Sequence, residues 1–541
     1  MANNNQYINI PAEKFQFAKR NDIGHDKKFD TKPVSYFQGA WRRFCKNKGA
    51  VVGGIVISIL VLFAIFAPFF TPYTPSYYDM TYMYTTPRLE IFANSDINFW
   101  DGYKVKNSNY VAYLKDVALM QEIGQEVIKN GEYIVSEDGS NYTYRFDTYH
   151  GVGFGKYKII SQEEFDDIQR YQNETGRQVL YPVVKVKDRP TLEKNKYDAN
   201  IYYVMEDAKA SVIRPKLDKE GNIVPNYWKY DANAAQSSII PEYNSLRIEG
   251  ENGFEEKGVT YKYAYGRRVD GGIEVRAEYY EYYTYTHSQV KKDGIEEPNF
   301  VFGTTQTGKD ILACLSYGAR FSFIFASIVA IVNFVVGVIW GSISGYFGGK
   351  LDLAMERFCE ILGSVPSMII ITLLKYHLGA FILKQGWYQL SDIQSALILF
   401  IAFFATGWIG MAGRTRMQFY RFKNQEYVLA ARTLGAGDAR IMFKHIFPNG
   451  IGTIVTSVAL VIPSMIYSET SLSYLGIINL EAGNTTSVGT LIAAGKQSIT
   501  SGAPYVAFFP CAFLVLLMLS FNLFGNGLRD AFNPSLRGSE E

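Results

Sequence analysis

The hydrophobic pattern divides this chain sharply. Six windows, over residues 50–70, 321–347, 359–383, 393–411, 451–475 and 503–524, are apolar at almost every position. Each has about the length a helix needs to cross roughly 30 Å of hydrocarbon. Between the first and second lies a polar, tyrosine-rich stretch from about residue 72 to 299, enough for one or two compact domains. The pattern predicts an α-helical polytopic membrane protein with six transmembrane helices and an α+β domain inserted between helices 1 and 2.

Within the insert, Val259, Tyr261, Tyr263 and Tyr265 alternate with Thr260, Lys262 and Ala264. A turn is expected at Asp270-Gly271-Gly272, with residues 273–286 resuming a strand-like run. Residues 132–135 and 142–146 flank Asp138-Gly139 as a hairpin would. Ser161-Gln162-Glu163-Glu164 reads as a capping box opening a helix to about Tyr171. The tyrosine cluster 279–283 fits half-buried sheet packing, the commoner role, or amphipathic contact with a ligand or partner.

A second pattern lies in the polar stretch 426–449, between the fourth and fifth windows. Tyr427, Ala430, Ala431 and Leu434 fall at i, i+3, i+4 and i+7, one face of a short helix begun at Glu426. Gly435-Ala436-Gly437 breaks that helix, Asp438 is placed to cap a second one through Phe443, and Pro448 is placed to stop it. The expected result is a helix-turn-helix knuckle, His445 included. Its small alanines allow another backbone to approach, as docking into a partner's groove requires.

Lysine and arginine set the expected orientation. They crowd before the first window and after the fourth, where Arg414, Arg416, Arg421, Lys423, Arg432, Arg440 and Lys444 lie. The stretches after the third and fifth windows carry only Lys384 and Lys496. Both termini are expected in the cytoplasm and the insert outside. The first window is too long, too far from the N-terminus and too rich in following prolines for a cleaved signal, so it is expected to be retained. The divisions are 1–49 (cytoplasmic segment), 50–70 (helix 1), 71–300 (extracytoplasmic insert), 301–525 (helices 2–6 with a coupling loop at 414–449) and 526–541 (cytoplasmic tail).

Composition adds little beyond this. A mean hydropathy of −0.05 averages two unlike parts, and a net charge of +2 offers no footprint for nucleic acid. The four cysteines, Cys45, Cys314, Cys359 and Cys511, have no metal spacing, and the five histidines are scattered. No cofactor, metal or catalytic set is expected. Gly303 to Lys309 fits G-x4-G-K, but Asp310 stands where a phosphate loop needs Ser or Thr, and an apolar window follows. Glu469, inside the fifth window, is either part of a transport path or polar glue between helices. Asn333, Pro366, Pro463 and Pro510 read as packing and kink features.

The 426–449 stretch resembles the E-A-A-x3-G-x9-I-x-L-P signature of ABC importer permeases, with Leu429 in place of the glutamate and Phe447 in place of the leucine. Lys444-His445-Ile446-Phe447-Pro448-Asn449 is similar to the R-H-I-L-P-N of the peptide branch. Further segments follow in family order. They are the 303–310 stretch before helix 2 (F-G-T-D-x-x-G-R-D), Gly345 to Gly349 (G-Y-F-G-G), Ser364-Val365-Pro366-Ser367 (A-I-P-S), Glu469 to Gly476 (E-A-S-L-S-F-L-G) and Asn522 to Asp530 (N-L-x-G-D-x-L-R-D). The resemblance, to the C-type permease subunit of an oligopeptide or dipeptide ABC importer, covers about 301–537 and helix 1 but not the insert. It implies a second permease subunit, cytoplasmic ATP-binding subunits that hydrolyse ATP, an extracytoplasmic solute-binding protein and a peptide substrate. It places ATPase coupling at Glu426, Tyr427, Ala430, Ala431, Gly435, Asp438, His445 and Pro448. The competing class is a polytopic receptor or adhesion protein whose outer domain binds. A membrane enzyme is a third, without a paired-carboxylate, Ser/Lys or metal constellation in the helices.

Overall fold

The computed structural model describes residues 36–93, 98, 100–137, 139–153, 156–181, 205–208, 212–224, 254–256, 258–261, 263, 265–384, 392–477 and 486–532. The start of the N-terminal segment (1–35), much of the insert (182–204 and 225–253) and the end of the tail (533–541) lie outside the described residues. Among those described, five helices are long and apolar enough to cross a membrane: Lys48–Phe69, Ile311–Phe347, Ala396–Phe422, Asp438–Tyr474 and Tyr505–Phe532. The pair Gly349–Ser364 and Ser367–Phe381, bent by 76°, is a broken span or a re-entrant loop, and is counted third in chain order.

That bend corrects the expectation of one straight helix over 359–383. Pro366 lacks an amide hydrogen and biases Val365 away from helix, and Val365 is extended (φ −86°, ψ 127°). The fifth span also starts earlier than expected, because the helix runs unbroken from the knuckle into the membrane segment. A further helix, Val488–Ser498, was absent from the hydropathy pattern. It is short, begins at an N-cap where Ser487 Oγ accepts from Thr490 N, and packs under the fifth and sixth spans.

The spans share one core on the side of the insert, where Leu60, Ile311, Leu315, Ile466, Leu491, Val506 and Phe513 meet. At the opposite side a helix Tyr36–Lys46 precedes the first span and crosses the end of the sixth, with Arg43 donating to Ala531 O at 3.0 and 2.7 Å. The second and fourth spans approach closely along their length. A Cβ on Gly337, Gly341 or Gly345 of the second would come within 2.3 to 2.7 Å of atoms of the fourth.

Among the described residues, the segment between the first and second spans carries two two-stranded ribbons and two larger antiparallel sheets. In one, strand Asn141–Asp147 lies between Tyr103–Asn109 and Ile128–Val135, as the Asp138-Gly139 signal required, and helix Tyr110–Ile123 packs on it. In the other, Gly272–Ala277 pairs with Lys156–Ile160 and with Arg267–Val269, across the expected turn. Helix Gln162–Thr175 covers it, and Ser161 Oγ accepts from Glu164 N at 3.1 Å. A fully buried Arg276 joins the two lobes through Glu122, at 3.0 and 2.8 Å.

The tyrosine run corrects a second expectation. Strand geometry ends at Ala277, and Tyr279–Tyr285 is a helix capped by Glu278, whose carboxylate accepts from Glu281 N at 2.7 Å. Helical spacing turns Tyr280 and Tyr283 into one core with Tyr73, Tyr82, Tyr149 and Phe300. The tyrosines there are packed, with Tyr77 and Tyr283 hydroxyls 2.6 Å apart.

The Gly303–Asp310 loop is a staple between the insert and the second span. Asp310 caps that span, accepting from Ala313 N at 2.8 Å and from Thr71 at 3.2 Å. Thr304 N donates to Thr85 O and Asp79 N to Gly308 O. Gly308 has φ +71°, and a Cβ there would stand 1.8 Å from Asp79 O. Gly308→Ala is expected to cost about 3 kcal/mol, against about 1 kcal/mol for Gly294→Ala, where φ is +82° but no atom is near. Denaturation of the full chain in detergent measures the difference.

Glu281 supplies a pH test. Burial, then the neighbouring Glu278 carboxylate, push its carboxyl up to about 7, against the opposing pull of Arg177 and His150. The folded state therefore holds a proton that the unfolded state has released above its ordinary pKa. This contribution to stability is fully present below about pH 4.5 and is lost as pH rises through about 7. Glu281→Gln is expected to flatten the fall in thermal midpoint across that window.

Candidate functional site

The knuckle begins with helix Glu426–Thr433, whose inward residue is Val428, 0% exposed. Val428 packs with Ile441, Met442 and Ile446 from the second half, and with Phe419 and Tyr346 from the fourth and second spans. Gly435, at φ +81°, makes the turn, where a residue without Cβ adopts the left-handed region at no steric cost. The second half is Asp438–Arg440, followed by a π-helical turn Ile441–Ile446 and then by Phe447–Ala459.

Two sequence expectations change here. Gly437 takes the N-cap position and Asp438 caps nothing. Its carboxylate instead accepts from Tyr346 Oη at 2.6 Å, and Arg432 donates to the same hydroxyl at 3.3 Å. Pro448 does not stop the helix either. It occupies the first turn of Phe447–Ala459, where its missing amide hydrogen costs least, and the π turn before it absorbs the misfit.

The opposite face of the knuckle is open. Leu434 is 88% exposed, and Tyr427, Leu429 and Phe443 are exposed too. Glu426, Ala430, Asp438 and Pro448 are exposed, while Ala431 and His445 are half-buried. The predicted residues thus come together in one element. They divide into an outward apolar set and a set held at the hinge.

Sequence reasoning missed what holds the hinge. Asp352, near the start of Gly349–Ser364, accepts from Arg416 at 2.6 and 2.7 Å, from Tyr420 Oη at 2.5 Å and from Ser344. Lys423 donates to Gly345 O at 3.1 Å. These bonds lock the turn after the second span to the end of the fourth. The available signal was glycine at i, i+4 and i+8 (Gly337, Gly341, Gly345), which marks a close helix contact.

Glu469 stands apart from the knuckle, in the fifth span. It is 1% exposed and accepts from Ser487 Oγ at 2.6 Å and Ser473 Oγ at 3.0 Å. Within the chain it ties the fifth span to helix Val488–Ser498. Among the described residues no group of three His, Cys, Asp or Glu is placed to hold a metal.

Comparison with known proteins adds an independent line. Residues 337–538 match the family described as binding-protein-dependent transport system inner membrane component. Residues 35–87 match the N-terminal transmembrane domain of oligopeptide transport permease C. An oligopeptide transport system permease protein of Bacillus subtilis is 41% identical over 236 residues, 44% of this chain and 72% of that protein. A dipeptide transport system permease protein of Lactococcus lactis is 40% identical over 253 residues, 46% of this chain and 68% of that protein. An oligopeptide permease protein of Escherichia coli is 36% identical over 241 residues, 44% and 74% of the two chains. Most of the insert lies between the two matched regions.

Tyr346→Phe tests the hinge. It removes the hydroxyl that Asp438 and Arg432 share, at a cost of about 1 to 2 kcal/mol. Amide hydrogen exchange across 426–446 is expected to speed up by about 5- to 30-fold, with the spans unaffected.

Proposed function

The chain belongs to the binding-protein-dependent transport inner-membrane components, as a peptide ABC permease, and from this premise we propose how its parts serve an ATP-driven importer. The chain is a multi-pass membrane permease subunit and not itself an enzyme. Hydrolysis belongs to separate ATP-binding subunits, and delivery to a solute-binding protein. The transported substrate is an oligopeptide or dipeptide.

In our reading the two permeases form the pathway and the ATP-binding subunits seat the knuckle. The observation that carries this is the division of 426–449 into an exposed apolar face and a buried hinge fastened to the second and fourth spans. Tyr427, Leu429, Leu434 and Phe443 enter the ATPase groove. Closure of the ATPase pair then displaces a unit that Tyr346 and Asp352 make continuous with the membrane helices. A rigid unit can bias the helices between inward-open and outward-open arrangements only if ATPase closure favours one of them. Glu426, Ala430, Ala431, Asp438, His445 and Pro448 shape and orient this contact, and Gly435 sets its turn.

Both termini and the knuckle lie in the cytoplasm, and 71–300 is an extracytoplasmic α+β domain. In this reading 301–525 is the permease core with its coupling loop at 414–449, and 526–541 is the cytoplasmic tail. The insert docks the solute-binding protein or the second permease. Glu469 serves helix packing, since Ser473 and Ser487 of its own chain donate to its carboxylate. A surface receptor that only anchors an outer domain has no use for a knuckle tied to two spans.

Gly435→Val is expected to abolish peptide uptake while membrane insertion stays intact, because a β-branched residue at φ +81° is strained although space is free there. Leu434→Asp, which puts a charge on the exposed tip, is expected to lose the ATP-binding subunits in affinity purification from the membrane. Normal uptake by the first variant, or full recovery of ATPase with the second, would remove the coupling role.

A further inference from the structure

A pocket of about 470 Å³ opens among the fourth, fifth and sixth spans, at their ends nearest the knuckle. Arg414 and Arg421 line it from one face of helix Ile409–Phe422, seven residues apart, and Arg529 reaches it from the sixth span. Thr453, Ser457 and Asn526 add hydroxyl and amide groups, and Leu460 closes the end toward the membrane interior.

Three guanidinium groups share this space without a carboxylate among its lining residues. Among the described residues the only ion pair any of them makes is a 4.0 Å approach of Asp530 to Arg529, both largely exposed. Arg416, on the same helix but another face, is by contrast bound in two bonds to Asp352. Like charges gathered at the edge of a low-dielectric region repel unless an anion joins them. Arginine forks suit the tetrahedral oxygens of phosphate, and neighbouring hydroxyls add donors.

The surroundings decide which phosphate. Met417, between the two arginines in sequence, is exposed, as are Leu460 at the pocket's inner end and Leu519, two turns before Asn526 on the sixth span. A ligand with an anionic head and apolar chains satisfies both zones at once. We propose that this pocket binds the headgroup of an anionic phospholipid, its acyl chains lying along the neighbouring apolar surface.

The full chain, purified in mild detergent with whatever subunits accompany it, is titrated with phosphatidylglycerol and with phosphatidylcholine of equal chain length. Bound lipid is read by native mass spectrometry. Phosphatidylglycerol is expected to bind more tightly, by about fivefold for each arginine engaged. The triple variant R414Q/R421Q/R529Q is expected to lose on the order of 100-fold in that preference. The matching triple lysine variant, which keeps the charge, is expected to retain most of it. If the triple glutamine variant does not insert, R529Q alone, at an exposed position near the end of the sixth span, is expected to lose about fivefold. Equal retention of the two lipids by the unaltered chain overturns the proposal, as does undiminished preference in the glutamine variants. Displacement of the lipid by inorganic phosphate or by a dipeptide at millimolar concentration also overturns it, because the site would then read a soluble anion.

Discussion

Three glycines one turn apart on the second span set the geometry on which the rest depends. At Gly337, Gly341 and Gly345 the fourth span comes so near that side chains of any size would collide with its backbone or Cβ atoms. In hydrocarbon, helices gain nothing from burying apolar surface against one another, so close packing and buried hydrogen bonds must hold them. The glycine stripe provides the first and thereby permits the second. Because the backbones are near, Asp352 just beyond the stripe can accept from Arg416 and Tyr420 of the fourth span. Tyr346, next to Gly345, can reach the knuckle for the same reason.

Much of this was legible in the residues, and the illegible parts have physical reasons. Spans are visible because continuous apolar runs are imposed by the solvent and do not depend on neighbours. The knuckle's turn was visible because Gly435 is demanded by local backbone geometry. The role of Asp438 was not, since a carboxylate at a helix start is read as a cap unless a tertiary partner claims it, and Tyr346 lies 92 residues away. Pro448 misled for a related reason. Proline interrupts a regular helix, but a preceding π turn changes which carbonyls and amides must meet. Asp352 and Arg416, 64 residues apart, meet only once two helices are packed.

The insert shows the same division. Turn and cap signals at Gly139, Ser161 and Gly271 were correct because each is local. The tyrosine run was misread as strand because tyrosine favours sheets, whereas here a glutamate cap and tertiary burial select the helix. That choice has a consequence for the whole chain. Only at helical spacing do Tyr280 and Tyr283 face Tyr73 and Tyr82, which follow directly from the first span. The insert is therefore built onto the residues that leave the first span and those that enter the second, with the Gly303–Asp310 staple closing the base.

The fourth span carries these lines to their end. Its inner face is packed on the second span through Thr415 and Phe419 and bonded through Arg416 to Asp352 of the helix that follows that span. Its other face presents Arg414 and Arg421 to a pocket shared with the fifth and sixth spans. In the proposed coupling, a pull on the knuckle that moves the fourth and fifth spans relative to the sixth changes the width of that pocket. An anion held there is consequently a load on the same lever: it favours whichever arrangement brings the three guanidinium groups closest around it, by the difference in its affinity for the two.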